Sequence, residues 1–109
     1  METITDKKEL LEAIKKDGSA LEFASDKLKD DKKIVLKAIK KDWLALKFVS
    51  NKLKDDKEVV LTAVKQYGLA LIFASRRLQV EFKEKGIKKI EKEIREGKTD
   101  KKIERIEYI

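Results

Sequence analysis

The sequence contains no cysteine and no histidine, and it has only four glycines. Without cysteine there can be neither a disulfide nor a thiolate ligand, and without histidine the commonest general base is missing. The two absences together leave no ligand set for a zinc site. Gly18, Gly68, Gly86 and Gly97 stand singly, so no loop can cradle a phosphate. Ser25, Ser50 and Ser75 recur, but no base lies nearby to make one of them a nucleophile. Their simpler role is to bond a backbone carbonyl or to help end a helix. No apolar run approaches the roughly 20 residues that span a bilayer, and Met1 to Asp6 has neither the basic nor the apolar region of a secretory signal. These absences point away from an enzyme, a cofactor, a small-molecule substrate or a membrane. They fit a reducing cytoplasm.

Charge is abundant instead. Of 109 residues, 28 are basic and 21 acidic, for a net charge of +7. Such an excess suits an acidic partner such as nucleic acid. Only Arg76, Arg77, Arg95 and Arg105 are arginine, however, and the guanidinium fork is what phosphate and base recognition favour. A lysine, isoleucine and glutamate excess is also what an AT-rich genome produces through codon usage.

The strongest signal is internal repetition with a period of 25 residues. Residues 6–30, 31–55 and 56–80 each open with Asp-Lys and carry Leu-x-Ala-[Ile/Val]-Lys, at Leu11–Lys15, Leu36–Lys40 and Leu61–Lys65. Each continues Ala-Leu-x-Phe-[Ala/Val]-Ser, at Ala20–Ser25, Ala45–Ser50 and Ala70–Ser75, and closes on Leu28, Leu53 or Leu78. Leu10, Leu11, Ala13 and Ile14 follow helical spacing behind the N-cap Asp6, with Asp31 and Asp56 repeating the cap. Gly18 and Gly68 fall where the first helix should end and are expected to supply a positive φ. A second helix then turns Ala20, Leu21, Phe23, Ala24 and Leu28 inward, and Asp30 and Asp55 serve as junctions. Neither helix would be stable alone, so neighbouring units must stack. Phe23, Phe48 and Phe73 are expected to form one core ladder, and Leu28, Leu53 and Leu78 another.

The expected fold is therefore all-α: a right-angle or antiparallel helical-hairpin repeat array of three units over residues 1–80. Residues 81–109 add a C-terminal helical cap or tail in the same compact domain. In that cap the last repeat helix runs on toward Lys85, and Ile87, Ile90 and Ile94 mark a helix ending at Gly97. Thr99 or Asp100 is placed to cap a final helix bearing Ile103, Ile106 and Ile109. A tail docking on a partner is the alternative for this region.

With the third unit written Asp-Lys-Glu-Val-Val-Leu-x-Ala-Val-Lys-x-x-Gly-x-Ala-Leu-x-Phe-Ala-Ser-x-x-Leu, the repeat resembles the short helical repeats of domain of unknown function 4116. Asp56–Leu78 matches best, Asp31–Leu53 next and Asp6–Leu28 more loosely, over about two-thirds of the chain. Trp43 departs from the pattern, standing where glycine is expected. The resemblance implies a helical-repeat interaction module and brings no chemistry with it.

Stacking aligns Lys15, Lys40 and Lys65, then Lys27, Lys52 and Arg77, then Lys7, Lys32 and Lys57. The first unit has six bases and seven acids, the second eight and three, and the third four and two. Positive charge thus peaks in the middle of the array. Trp43 lies among Lys40, Lys41 and Lys47, and at a positive φ its bulk would force a turn unlike those at the glycines. Tryptophan among basic residues is a common hot-spot composition, though it can equally pack against a neighbouring unit. Candidate partner-binding residues are Lys40, Lys41, Trp43, Lys47, Lys52, Lys65, Tyr67, Arg76 and Arg77. The expected function is a non-enzymatic adaptor or inhibitor binding a protein or nucleoprotein through this basic central surface. The alternatives are direct RNA or DNA binding, or a phage or mobile-element inhibitor of a nucleic-acid-handling enzyme such as an RNA-guided nuclease.

Overall fold

A computed structural model describes residues 3–97. The final helix expected from Thr99 or Asp100 onward lies outside the described residues. The described chain is all-α, apart from an isolated parallel bridge between Ile4 and Ala24. Helices α1 (Lys7–Lys16), α3 (Lys32–Lys41) and α5 (Lys57–Gln66) open the three units. A 3-10 segment follows each, at Gly18–Phe23, Trp43–Phe48 and Gly68–Phe73. One-turn helices α2 (Asp26–Lys29) and α4 (Asn51–Lys54) complete the first two units, and α6 (Arg76–Lys85) takes their place in the third. Helix α7 (Ile87–Arg95), the last among the described residues, packs on α5 and α6.

The caps follow the sequence. Asp31 and Asp56 accept from the backbone N–H groups of Ile34 and Val59, at 3.3 and 3.1 Å, and Asp6 accepts from Lys8 at 3.3 Å. The second arm of each hairpin differs from the continuous helix expected. Ala24, Val49 and Ala74 are extended, and the next residue, Ser25, Ser50 or Ser75, restarts a helix as its N-cap. Each serine hydroxyl accepts from the leucine three residues on, at 3.2–3.3 Å. The serines therefore begin helices where the sequence suggested that they end them.

The same serines join the units. Ser50 donates its amide to the Lys29 carbonyl at 3.0 Å and its hydroxyl to Asp30 at 2.6 Å. Ser75 repeats both bonds on Lys54, at 2.9 Å, and on Asp55, at 2.6 Å. Ser25 donates its amide to the Ile4 carbonyl at 2.8 Å, so Ile4 stands in for the preceding unit. The junction aspartates are thus acceptors for the next unit's cap.

Leu10, Ile14, Leu21, Ile34, Val35, Ile39, Leu46, Val59, Val60, Leu78 and Ile90 lie in one buried cluster, with Leu28 and Leu53. Leu28, Leu53 and Leu78 are all buried in this one core. The expected phenylalanine ladder is not there. Phe23 is 37% exposed, and Phe48 and Phe73 only pack against the edge of the cluster. The 3-10 backbone keeps Leu21 and Leu46 fully inside, both at 0% exposure, as expected for Leu21. Phe48→Ala should therefore cost less than the about 3–5 kcal/mol of a fully buried phenylalanine.

The glycine expectation is also corrected. Among the described residues only Gly86 and Gly97 have positive φ, at 81° and 73°. The residues before Gly18, Trp43 and Gly68 share one extended geometry, φ −158°, −154° and −157°, so the turn at Trp43 matches the other two. What requires glycine at position 18 is close approach. A Cβ there would lie 2.6 Å from the Ala38 carbonyl oxygen and 3.0 Å from the Asp42 nitrogen, whereas one at Gly68 would meet nothing within 4 Å. Gly18→Ala is expected to destabilise by about 1–3 kcal/mol through overpacking. Gly68→Ala should be neutral or stabilise by up to about 1 kcal/mol by stiffening the unfolded chain. Urea denaturation midpoints of the two variants check this, and equal shifts would contradict it.

Candidate functional site: a lysine-rimmed furrow and an aromatic edge

The first helices lie side by side, α1 on α3, α3 on α5 and α5 on α7. The lysine at each helix start spans to the next unit's cap. Lys7 reaches Asp31 at 3.7 Å, and Lys32 reaches Asp56 at 3.0 Å and Glu58 at 2.9 Å. Lys57 pairs with Glu81, which stands 25 residues after Asp56 in the register of the capping aspartates. This column ties units together. Burial alone would lower the Lys32 pKa, but bonds to Glu58 and Asp56 outweigh it and hold it above the ordinary value.

The C-terminal end is closed by charge as well as by packing. Lys57, only 8% exposed, meets Glu81 and Glu93, and Lys85 bonds both carboxylates, at 3.3 and 3.1 Å. Arg77 donates to the Asp55 carboxylate and carbonyl, both at 3.0 Å. Lys65 donates to Glu91 at 2.6 Å. Burial would raise the Glu93 pKa, but Lys85 and Lys57 outweigh it, and the group sits below the usual carboxylate value. The Lys65 hydrogen bond lowers Glu91 likewise, and the Ser19 backbone and hydroxyl bonds lower Asp17. A depressed carboxylate stabilises the fold above its unfolded pKa, about 4, and that contribution disappears as pH falls through the lower folded value. Melting temperature should hold from neutral pH to about pH 5 and drop below about pH 4. A melting temperature flat down to about pH 2 would contradict these pairings.

Among the described residues nothing comparable covers the face of α1 and α3. Two adjoining cavities, of about 390 and 300 Å³, run along α1 and α3 and share Leu11 and Lys37. Leu11 and Leu36 are half-buried there, while their register mate Leu61 on α5 is 7% exposed. Seven lysines rim the two cavities, against one acid, Glu12, which bonds Lys15 at 3.3 Å. The third unit lacks this rim, because Lys33, Lys37 and Lys41 are succeeded by Glu58, Thr62 and Gln66. Gln66 donates instead to the Ile39 carbonyl at 2.6 Å.

The furrow collects Lys40 and Lys41 from the sequence-based candidates and leaves the others elsewhere. Lys65 and Arg77 are held in the ion pairs described above. Lys52 and Arg76 are exposed on α4 and α6, and Lys47 lies 5.8 Å from the Phe48 ring. Trp43 is half-buried against the third unit, its ring 4.8 Å from Tyr67 and 6.5 Å from Phe73. Around it the surface becomes steadily less polar along the array. Asp17, Ser19 and Glu22 become Asp42, Leu44 and Lys47, then Tyr67, Leu69 and Ile72, the last three 48%, 56% and 60% exposed. Sequence reasoning missed Lys8, Lys33, Lys37, Leu11 and Leu36. Their signal was the i, i+4 spacing of Lys33, Lys37 and Lys41 on one face of a helix already identified.

Among the described residues no helix is long and apolar enough to cross a membrane, and no group of His, Cys, Asp or Glu could hold a metal ion. Three stretches of one helical pattern, with a serine-to-aspartate bond at each junction and α7 packed on the third, make the described residues an all-α fold. Residues 6–54 and 34–79 match the family model described as domain of unknown function (DUF4116), and the chain belongs to that family. No curated protein and no solved structure matches it.

Proposed function

We propose that the protein is a cytoplasmic, non-enzymatic interaction module that binds a protein or nucleoprotein partner through the basic face of its first two units. The observation that carries this reading is the furrow along α1 and α3, where an apolar floor of Leu11 and Leu36 lies inside a rim of lysines. A purely solvated face needs no such floor. A phosphate backbone needs the charge but makes no use of the leucines, and it favours the arginine that this rim lacks. A rigid repeat presents such a face with little ordering cost on binding. Trp43 fits packing between units, given its contacts with Tyr67 and Phe73.

The test is capture of partners on immobilised protein, from lysate with and without nuclease treatment, with wild type and a Lys37→Glu/Lys41→Glu variant. A protein species retained by wild type at about 200 mM salt and lost from the variant is the expected result. Retention of nucleic acid alone, falling about 10³-fold or more between about 50 and 200 mM salt, would replace this reading with direct nucleic-acid binding. Retention indifferent to the variant would remove the furrow from the account.

A further inference from the structure

The chain carries its own example of what the outer face of a first helix accepts. Helix α7 packs on α5 with Ile90 fully buried and Ile94 half-buried against the core. Its carboxylates Glu91 and Glu93 reach Lys65, at 2.6 Å, and Lys57, at 3.5 Å. Those lysines are register mates of Lys15 and Lys40, and of Lys7 and Lys32. Leu61, in the column of Leu11 and Leu36, is buried there. At α5, then, an isoleucine pair four residues apart and two flanking carboxylates satisfy the columns of leucine and lysine.

Along α1 and α3 the neighbouring helices α3 and α5 take the place that α7 takes on α5 and engage Lys7 and Lys32, but among the described residues no further helix covers Leu11, Leu36 and the rest of the lysine rim. Leu11 and Leu36 are half-buried, Lys15 and Lys40 are exposed, and Lys33, Lys37 and Lys41 add charge that α5 does not have. We propose that this furrow binds an acidic amphipathic helix of a partner protein, its apolar stripe seated over Leu11 and Leu36 and its carboxylates facing the lysine rim. The inference rests on the reading of this face as a protein-binding surface and names the chemistry of the partner. An i, i+3, i+4 stripe is the form in which a helix enters an apolar groove. The lysine rim sets the sign of its flanks. A second copy's α7 is a poor occupant, since Lys88, Lys89, Lys92 and Arg95 make that helix net basic and Ile90 is already buried in its own chain.

The experiment uses a synthetic helix-stapled peptide of about 18 residues, or five turns, with isoleucine along one stripe and glutamate elsewhere. A peptide of the same composition with the stripe scrambled and a single-stranded oligonucleotide serve as comparisons. Binding to the full chain is read by fluorescence anisotropy. The striped peptide should bind at least about tenfold more tightly than the scrambled one, because only it can bury its isoleucines. Lys37→Glu/Lys40→Glu, exposed positions that leave the core intact, should weaken it by at least about tenfold. Lys27→Glu/Lys52→Glu, on another column, should change it less than about twofold. Equal binding of the two peptides, equal loss in both variants, no binding at about 50 mM salt, or an oligonucleotide that displaces the striped peptide would each overturn the proposal. If the peptide fails while partner capture still depends on Lys37 and Lys41, only the acidic-helix chemistry falls. If both fail, the protein-binding reading falls with it.

Discussion

Lys57→Met is expected to lower the stability of the protein by about 3–5 kcal/mol, the cost of removing one member of a buried ion cluster. The Lys57 side chain is 7% exposed, and those of Glu81 and Glu93 beside it are 14% and 9% exposed. With the lysine gone, two carboxylates remain out of water with less positive charge to meet them. Lys85 still bonds both, and Arg77 lies 3.6 Å from Glu81, so the lower part of that range is expected. Glu93→Leu in the same chain should recover part of the loss, because an apolar side chain leaves one fewer charge to be desolvated. Lys7→Met, in a register-equivalent pair whose lysine is 58% exposed, should cost less than about 1 kcal/mol. Urea denaturation of the three variants reads these differences. A Lys57→Met shift no larger than that of Lys7→Met would mean that α7 is not locked onto α5 by this cluster.

Leu46→Ala should cost about 2–5 kcal/mol by opening a cavity in the middle of the array. Leu46 is 0% exposed and sits in the 3-10 segment Trp43–Phe48, which touches both the first and the third segment. Its register mate Leu71 is only half-buried, and among the described residues no 3-10 segment comes after Gly68–Phe73 to cover it. Leu71→Ala should therefore cost clearly less. Thermal melts of the pair separate a stack from three independent hairpins. In independent hairpins the two substitutions would cost the same.

The repeat was readable because stacking demands the same residue at the same place in every unit. Asp31, Asp56 and the Leu28, Leu53, Leu78 column could be placed without coordinates, as could the extension to Lys85 and the break at Gly86. The second arm was not readable as it is. Ala20, Leu21, Ala24 and Leu28 satisfy helical spacing whether or not the backbone breaks, and no glycine or proline marks the break at Ala24. The one available signal was Ser25, a good N-cap residue three positions before an apolar one. A single helix turns both Leu21 and Phe23 inward, whereas the 3-10 geometry buries Leu21 and leaves Phe23 37% exposed. In sequence Gly18 suggests backbone freedom, but its actual constraint, close approach to Ala38 and Asp42, comes from a neighbouring unit that local spacing does not reveal.

The lysine columns were legible, but their fates were not. Lys65 meets Glu91, and Lys57 meets Glu81 and Glu93, from a region outside the repeat, so periodicity could not assign those partners. Glu81 alone kept the 25-residue register. Subtracting the lysines so engaged leaves the α1 and α3 face as the concentrated positive surface. The same comparison, unit against unit, separates Trp43 from Lys40 and Lys41, its neighbours in sequence.

Lysine acylation of the free protein, followed residue by residue with mass spectrometry, tests most directly whether that face is open while the other end is shut. Lys33, Lys37, Lys40 and Lys41 should react fast, at rates close to those of an unfolded control, and Lys57 far more slowly. Protection of Lys37 and Lys40, or a Lys57 that reacts as fast as they do, would contradict the account.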